Sequence, residues 1–421
     1  MYIDHIRLQN FRGFESQRFT LNRGFNVLVG ENGSGKTAIL RALALGPAAL
    51  IHLLGGDAEA LIEDDDVRWV VFDQGSSVHI EPQPDVEVEL RGWIDGQEMT
   101  LIVGRAAPTQ PGTTIHGLDT LAEPLKTLRR EIASGARRPL PLFAYYHTGR
   151  LWAQTTQSYD EPTRPGSRVL GYDDCRSPAT HVDDLVRWLK TQELIVLQEQ
   201  GPGGSTGALA AVKRAITASI PGCTDIAFNV RLGELLLTFE EGPKPFHLLS
   251  DGVRNMVAMV ADIARRAVLL NPYMEADAPS QTAGVVLIDE LDLHLHPRWQ
   301  RRVVDDLREI FPRIQFIATT HSAFIVQALR PGELINLDGR PQLPSGASVE
   351  DIAEDVMGVE QPHRSRRHIR RREAAREYFE LLDKGADEAK LNQLVAEFAD
   401  DPAAEALLRA ERLVAEMEAN G

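Results

Sequence analysis

The sequence predicts an α/β fold, with a head split by an inserted β/α arm and followed by a small helical tail. Three apolar runs carry that prediction. Phe25–Val29 breaks into the glycine-rich loop GENGSGKT, after which AILRALAL has helical character. Val285–Ile288 ends in the acidic pair Asp289-Glu290, and Ile314–Ala318 runs into TTHSAF. Short runs without polar alternation fit strands covered on both faces.

The remaining elements follow in order. Ile3–Leu8 and Phe19–Leu21 read as strands around the turn Asn10-Phe11-Arg12-Gly13. The loop strand and the helix from Ala38 come next, and Gly55, Gly56 and the acidic run Glu63–Asp66 close this section. Val67–Phe72 is β-branched and aromatic, and Val86, Val88 and Leu90 alternate with polar neighbours. Asp95-Gly96 signals a hairpin returning through Met99–Val103. A helix over Leu118–Ser134 precedes a buried strand, Leu140–Tyr146, and Gln154–Arg176 reads as a surface loop. Helices over His181–Gln198 and Ala208–Ile220 lead to a hairpin over Asp225–Phe239. Then come a helix (Val253–Leu270), the acidic strand, a proline-started helix (Pro297–Phe311), the third apolar strand, a helix (Ser322–Leu329) and a last strand (Glu333–Leu337). Ser348 would cap a short helix over Val349–Val356, and helices over Arg366–Asp383, Asp387–Phe398 and Ala403–Ala419 would form the tail. The expected division is 1–56 with 225–343 as head, 57–224 as arm and 344–421 as tail.

Composition bounds the function. With 421 residues the chain has room for two or three domains, at ~100–200 residues each. A formal charge of −16 means that any contact with nucleic acid needs a local basic patch. Arg364–Arg372, RSRRHIRRR, is such a run, either a solvated helix start or a docking surface for nucleic acid or an acidic partner. Cys175 and Cys223 are the only cysteines, which suits a reducing cytoplasm. MYIDHIRLQNFRGF is too interrupted by charge for a signal peptide, and Ala38–Leu54 falls short of a membrane span, so no membrane partner is expected.

The chemistry starts at the glycine-rich loop. In G-x-x-x-x-G-K-T the glycines keep Cβ atoms away from a phosphate, and loop amides and the following helix N-terminus face the anion. Lys36 would reach the outer phosphates and Thr37 would place its hydroxyl on Mg²⁺. Asp289 would hold the metal and Glu290 would deprotonate the attacking water. A zinc reading of His294, His296 and His321 is weaker, because no oriented second set of ligands accompanies it.

The order VGENGSGKT, LSDGVRN, LIDELDLHLHP, TTHS resembles the ABC-type ATPases, and within them the RecF/SMC/OLD-like branch. The resemblance covers Met1–Gly55 and Asp225–Arg340. It implies ATP and Mg²⁺ as ligands and a homodimer closed around two nucleotides. It implies that Arg12, Asn32, Gly33, Ser34, Gly35, Lys36 and Thr37 hold nucleotide, and that His321 is the switch histidine. Ser250 and Gly252 would be a signature serving the partner's ATP, with Asp292–His296 as the D-loop between subunits. Asp251 stands where transporters have glycine and Val253 where they have glutamine, which argues against a transporter motor. No Q-loop glutamine is evident; Arg150 or Gln154 in the segment after Tyr146 would take that place. The tail SVEDIAEDVMGVEQPHRSRR is similar to stand-alone ATPases of Septu and retron-associated anti-phage systems, which implies a sensor or regulator subunit beside an HNH nuclease. OLD-like nucleases carry a Toprim domain, for which this tail is short, so no intrinsic nuclease is expected. The competing reading is a RecF-like repair ATPase that clamps DNA itself.

Overall fold

The computed structural model describes residues 1–56, 61–73, 78–106, 112–151, 167–176, 182–199, 205–341, 346–359, 366–383, 388–398, 406 and 408–410. In chain order the strands are β1 (Tyr2–Phe11), β2 (Phe14–Thr20), β3 (Phe25–Val29), β4 (Trp69–Asp73), β5 (Val78–Pro82), β6 (Val86–Ile94), β7 (Gln97–Arg105) and β8 (Thr114–His116). They continue as β9 (Leu142–Tyr146), β10 (Cys223–Asn229), β11 (Glu234–Phe239), β12 (Gly242–Pro245), β13 (Gly284–Ile288), β14 (Ile314–Thr319) and β15 (Leu334–Asn336). The helices are α1 (Lys36–Leu54), α2 (Asp119–Ala133), α3 (Val182–Glu199), α4 (Gly207–Ser219), α5 (Asp251–Leu270), α6 (Ala278–Gln281), α7 (Pro297–Gln300), α8 (Val303–Ile310), α9 (Ala323–Gln327), α10 (Val349–Asp351), α11 (Arg366–Asp383) and α12 (Glu388–Val395).

Residues 1–352 form one compact unit. Its centre is a parallel sheet in the order β15-β3-β14-β13-β9, and β3, β9, β13 and β14 are buried throughout. A second, antiparallel sheet runs β2-β1-β6-β7-β8. Helix α1 packs against β13 and β14 of the first and against β1, β6 and β7 of the second. That sandwich explains why α1 is apolar on nearly every face. By length and composition α1 would serve as a membrane span, contrary to the expectation that it falls short, but most of it is buried in this unit. Gly46 lets the helix approach β6, since a Cβ there would meet Leu90 at 2.4 Å. Gly55, in left-handed backbone, ends the helix by donating to the His52 carbonyl.

The arm boundary at 57–224 does not hold. β6–β8 pair into the sheet that contains β1, and β9 pairs in register with β13, so both lie within the head. Alternation located these strands but carries no information about their long-range partners. The second unit starts at Ala353, later than the expected 344. In it Ala374, Tyr378, Leu391, Val395, Phe398 and Leu408 form a small core, and the Arg371 guanidinium lies 5.7 Å from the Phe398 ring centre. The Arg364 end of the basic run and most of the expected helix over Ala403–Ala419 lie outside the described residues. Pro297–Phe311 is two helices, α7 and α8. The strand β5 and the full length of β2 went unread, because their exposed residues mix charge with apolar side chains.

Candidate functional site

Parallel strands present their carboxyl ends on one side of a sheet, and ligands collect there. Here those ends are the loop after β3, Asp289-Glu290 after β13, Thr319-Thr320-His321 at the end of β14, His147 after β9 and Asp338 after β15. A cleft of about 320 Å³ is lined by Arg12, Asn32, Gly33, Gly35, Lys36, Thr37, Asp289, Glu290, Thr319 and His321. Ser34 backs the loop; its hydroxyl oxygen is buried without a hydrogen bond. Ser250, Gly252, Asp292 and His296 are not among the lining residues.

The loop glycines act in different ways. Gly33 and Gly35 adopt positive φ of 89° and 96°, where side chains are disfavoured. Gly35 also has the Phe14 ring against it, at 2.4 Å from a notional Cβ. At Gly30 a Cβ would lie 2.6 Å from Ser34 Oγ, so Ser34 would have to turn aside for a larger residue there. Lys36 folds back on the loop and donates to the carbonyls of Gly30 (2.8 Å) and Glu31 (3.0 Å). Burial lowers its pKa, opposed by the carboxylates of Asp338, Asp289 and Glu290. A phosphate would offer this ammonium better acceptors than two neutral carbonyls.

The acidic strand end is tied down by hydroxyls. Asp289 is 3% exposed and accepts from Thr37 Oγ1 at 2.9 Å and from Thr319 Oγ1 at 2.6 Å. The same Thr319 oxygen accepts the Glu290 amide at 2.7 Å. Glu290 is held at φ 50°, a left-handed backbone that costs a non-glycine residue on the order of 1–3 kcal/mol. The strain turns Glu290 out of the strand line into the cleft. A hydroxyl beside a buried carboxylate, with a lysine and open amides nearby, is an oxygen donor set that fits Mg²⁺ and a polyphosphate.

Arg12 lines the cleft from the β1–β2 turn, at φ 48°. Its guanidinium pairs with Asp66 at 2.8 Å, and Arg41 pairs with the same fully buried carboxylate at 3.3 Å. Asp66 was read only as part of an acidic run. Asp338 was also missed; its Oδ2 accepts the Glu31 amide at 2.9 Å and braces the loop.

The segment after Tyr146 brings His147 to the site. Its ring lies 3.7 Å, centre to centre, from that of Tyr145. Burial lowers its pKa from 6.5 to about 4, against the Asp289 carboxylate, which raises it. Gln154 lies outside the described residues. A histidine whose folded pKa is depressed contributes stability above its unfolded pKa and loses it as pH falls toward the folded value. Stability is therefore expected to drop between pH 6.5 and about 4, and His147→Gln should flatten that part of a melting-temperature profile.

Away from the cleft, Ser250 opens α5 without using its side chain as a cap and is exposed. Gly252 packs on the 291–296 loop, where a Cβ would stand 2.3 Å from the His294 carbonyl oxygen. Asn255 donates to the Leu293 carbonyl at 3.3 Å. Asp292 is bonded within the chain: Thr320 Oγ1 donates to it at 2.5 Å and the His321 amide at 3.2 Å. His296 caps α7, its Nδ1 accepting the Arg298 amide at 3.2 Å. Farther along α5, Asp262 accepts from the Tyr146 hydroxyl at 2.8 Å and from Arg265 and Arg266. Burial would raise this carboxyl, but the two guanidiniums hold it below the carboxylate range.

This strand order, with the glycine-rich loop and the acids at one end, is that of a P-loop nucleotide-binding fold. A model described as "AAA domain" matches residues 5–185, and one described as "AAA domain, putative AbiEii toxin, Type IV TA system" matches residues 236–327. Among known proteins it is similar to the Septu protein PtuA of Bacillus thuringiensis, 26% identical over 409 residues, covering 92% of this chain and 91% of that one. It is 24% identical to the "Retron Ec83 probable ATPase" of Escherichia coli, over 75% of this chain and 68% of that one. A shorter stretch of 103 residues is 48% identical to the "Retron Vc95 probable ATPase" of Vibrio cholerae, covering 24% of this chain and 20% of that protein.

Proposed function

We propose that the chain binds ATP with Mg²⁺ in this cleft and hydrolyses it, working as one of two heads that close around nucleotide. The carrying observation is the convergence of Lys36, the Thr37–Asp289 pair and Glu290 at the strand ends. Lys36 leaves the loop carbonyls for the outer phosphates, and the loop amides take the remaining oxygens. Thr37 and Asp289 would hold a Mg²⁺ ion, which would neutralise charge on the phosphates. Glu290 orients and deprotonates the attacking water, with His321 beside it at the γ-phosphate end. Support for pairing comes from the exposed, uncapped Ser250 and from Leu248, 70% exposed just before it. These are the features expected where a loop completes a neighbour's site.

The similarity to PtuA along most of both chains supports a role as ATP-dependent sensor or regulator in anti-phage defence, beside an HNH-type nuclease subunit. Lys36→Ala tests the first step. Nucleotide affinity, read by fluorescence titration, is expected to fall at least tenfold with the fold intact, since a charge-assisted phosphate contact is worth about 1.5–3 kcal/mol. Wild-type affinity in that variant would remove the cleft from the account.

A further inference from the structure

Arg12 reaches the cleft on a turn that its own residue types disfavour. Asn10 and Arg12 both hold left-handed backbone, at φ 47° and 48°, which residues other than glycine adopt only where their surroundings impose it. The segment 66–68 imposes it here. The Arg12 amide donates to the Asp66 carbonyl at 2.8 Å, Phe11 bridges Val67, and the Arg68 amide donates to the Asn10 carbonyl at 3.0 Å.

The Asp66 side chain then fixes the guanidinium. Its Oδ1 accepts Arg12 Nε at 2.9 Å and Nη2 at 2.8 Å. Its Oδ2 accepts Arg41 Nε and Nη2, each at 3.3 Å, and the Glu63 amide at 3.1 Å. These donors fill the acceptor capacity of a fully buried carboxylate and hold it in one orientation. A guanidinium is a rigid planar fork, so fixing the Nε–Nη2 edge also fixes where Nη1 stands. Nη1 has no partner among the described residues, and the Arg12 side chain, 32% exposed, lines the cleft. Fold stability alone is a poor reason for this carboxylate, because desolvation offsets the attraction in a buried ion pair. Arg41 does not depend on it for charge balance either, since it also pairs with Glu63 at 2.7 Å.

We propose that Asp66 is a positioning residue for nucleotide: it grips one edge of the Arg12 guanidinium so that Nη1 meets a phosphate oxygen in the cleft. This role deepens the function above and rests on that reading for its ligand. The test is equilibrium ATP affinity of the full chain, by fluorescence titration, in Asp66→Asn, Arg12→Ala, Arg12→Lys and the double variant Asp66→Asn/Arg12→Ala. Asparagine keeps the shape of the carboxylate but turns one of its oxygens into a donor facing an arginine. Affinity is expected to fall about tenfold in Arg12→Ala, the worth of one charge-assisted hydrogen bond, and about threefold in Asp66→Asn. The double variant should lose no more than Arg12→Ala, because a residue that acts through Arg12 then has nothing left to position. A merely structural role would instead lower the melting temperature and leave the affinity of the folded chain alone. Arg12→Lys keeps the charge at a partly exposed position where folding is not at stake, and it decides the matter if Asp66→Asn does not fold. One ammonium cannot hold Asp66 along an edge and a phosphate as well, so this variant is expected to lose about threefold in affinity. Wild-type affinity in folded Asp66→Asn or in Arg12→Lys, or additive losses in the double variant, would overturn the positioning role. Lys36→Ala separates the two readings. If it loses affinity while the Asp66 and Arg12 variants keep theirs, only the positioning role falls; if none of them loses affinity, the nucleotide reading falls with it.

Discussion

Glu290→Gln is expected to bind ATP and fail to turn it over. The amide keeps the size of the carboxylate and can still accept the contacts that position water. It cannot take the proton, and removing a general base of this kind costs about 10²–10⁴ in rate. The left-handed backbone at φ 50° suits glutamine no worse than glutamate, so the fold should be kept. Single-turnover assays beside equilibrium nucleotide binding separate the two effects. A rate within a fewfold of wild type would take the base role away from Glu290.

Ser250→Arg is expected to abolish ATP-dependent association while leaving the isolated head folded. Ser250 is exposed and its hydroxyl does not cap α5, so stability has little to lose. In the paired arrangement the new guanidinium would occupy the space meant for the neighbour's γ-phosphate. Light scattering with and without ATP reads the association, and ATPase rate at rising protein concentration reads its consequence. Normal assembly with normal hydrolysis would mean that the loop before α5 serves no neighbour.

The parts legible in the sequence are those whose cause is local. Gly33, Gly35, Lys36 and Thr37 belong to one turn, and burial of both sheet faces leaves apolar runs that anyone can find before Asp289 and before His321. What stayed hidden depends on pairing across the chain. Arg12 meets Asp66 from 54 residues away, and the Glu31 amide meets Asp338 from 307 away. No periodicity reports such contacts. His147 is a different case: its segment was expected near the site, with Arg150 or Gln154 as its contact, and only the packing on Tyr145 and the nearness of Asp289 single out His147. The same ignorance of strand partners turned a piece of the central sheet into an arm.

The packing of Gly252 under the His294 carbonyl, together with the bonds from Thr320 and His321 to Asp292, joins three separate loops into a single stiff piece. One end of that piece borders the chain's own cleft and the other is the surface offered outward. A displacement of His321 would have a packed route through Asp292 and the His294 carbonyl to Gly252 and the start of α5, where Ser250 stands. In a pair of heads, each subunit would then report the filling of its own cleft by reshaping its neighbour's, and the two clefts would fill as one cooperative event.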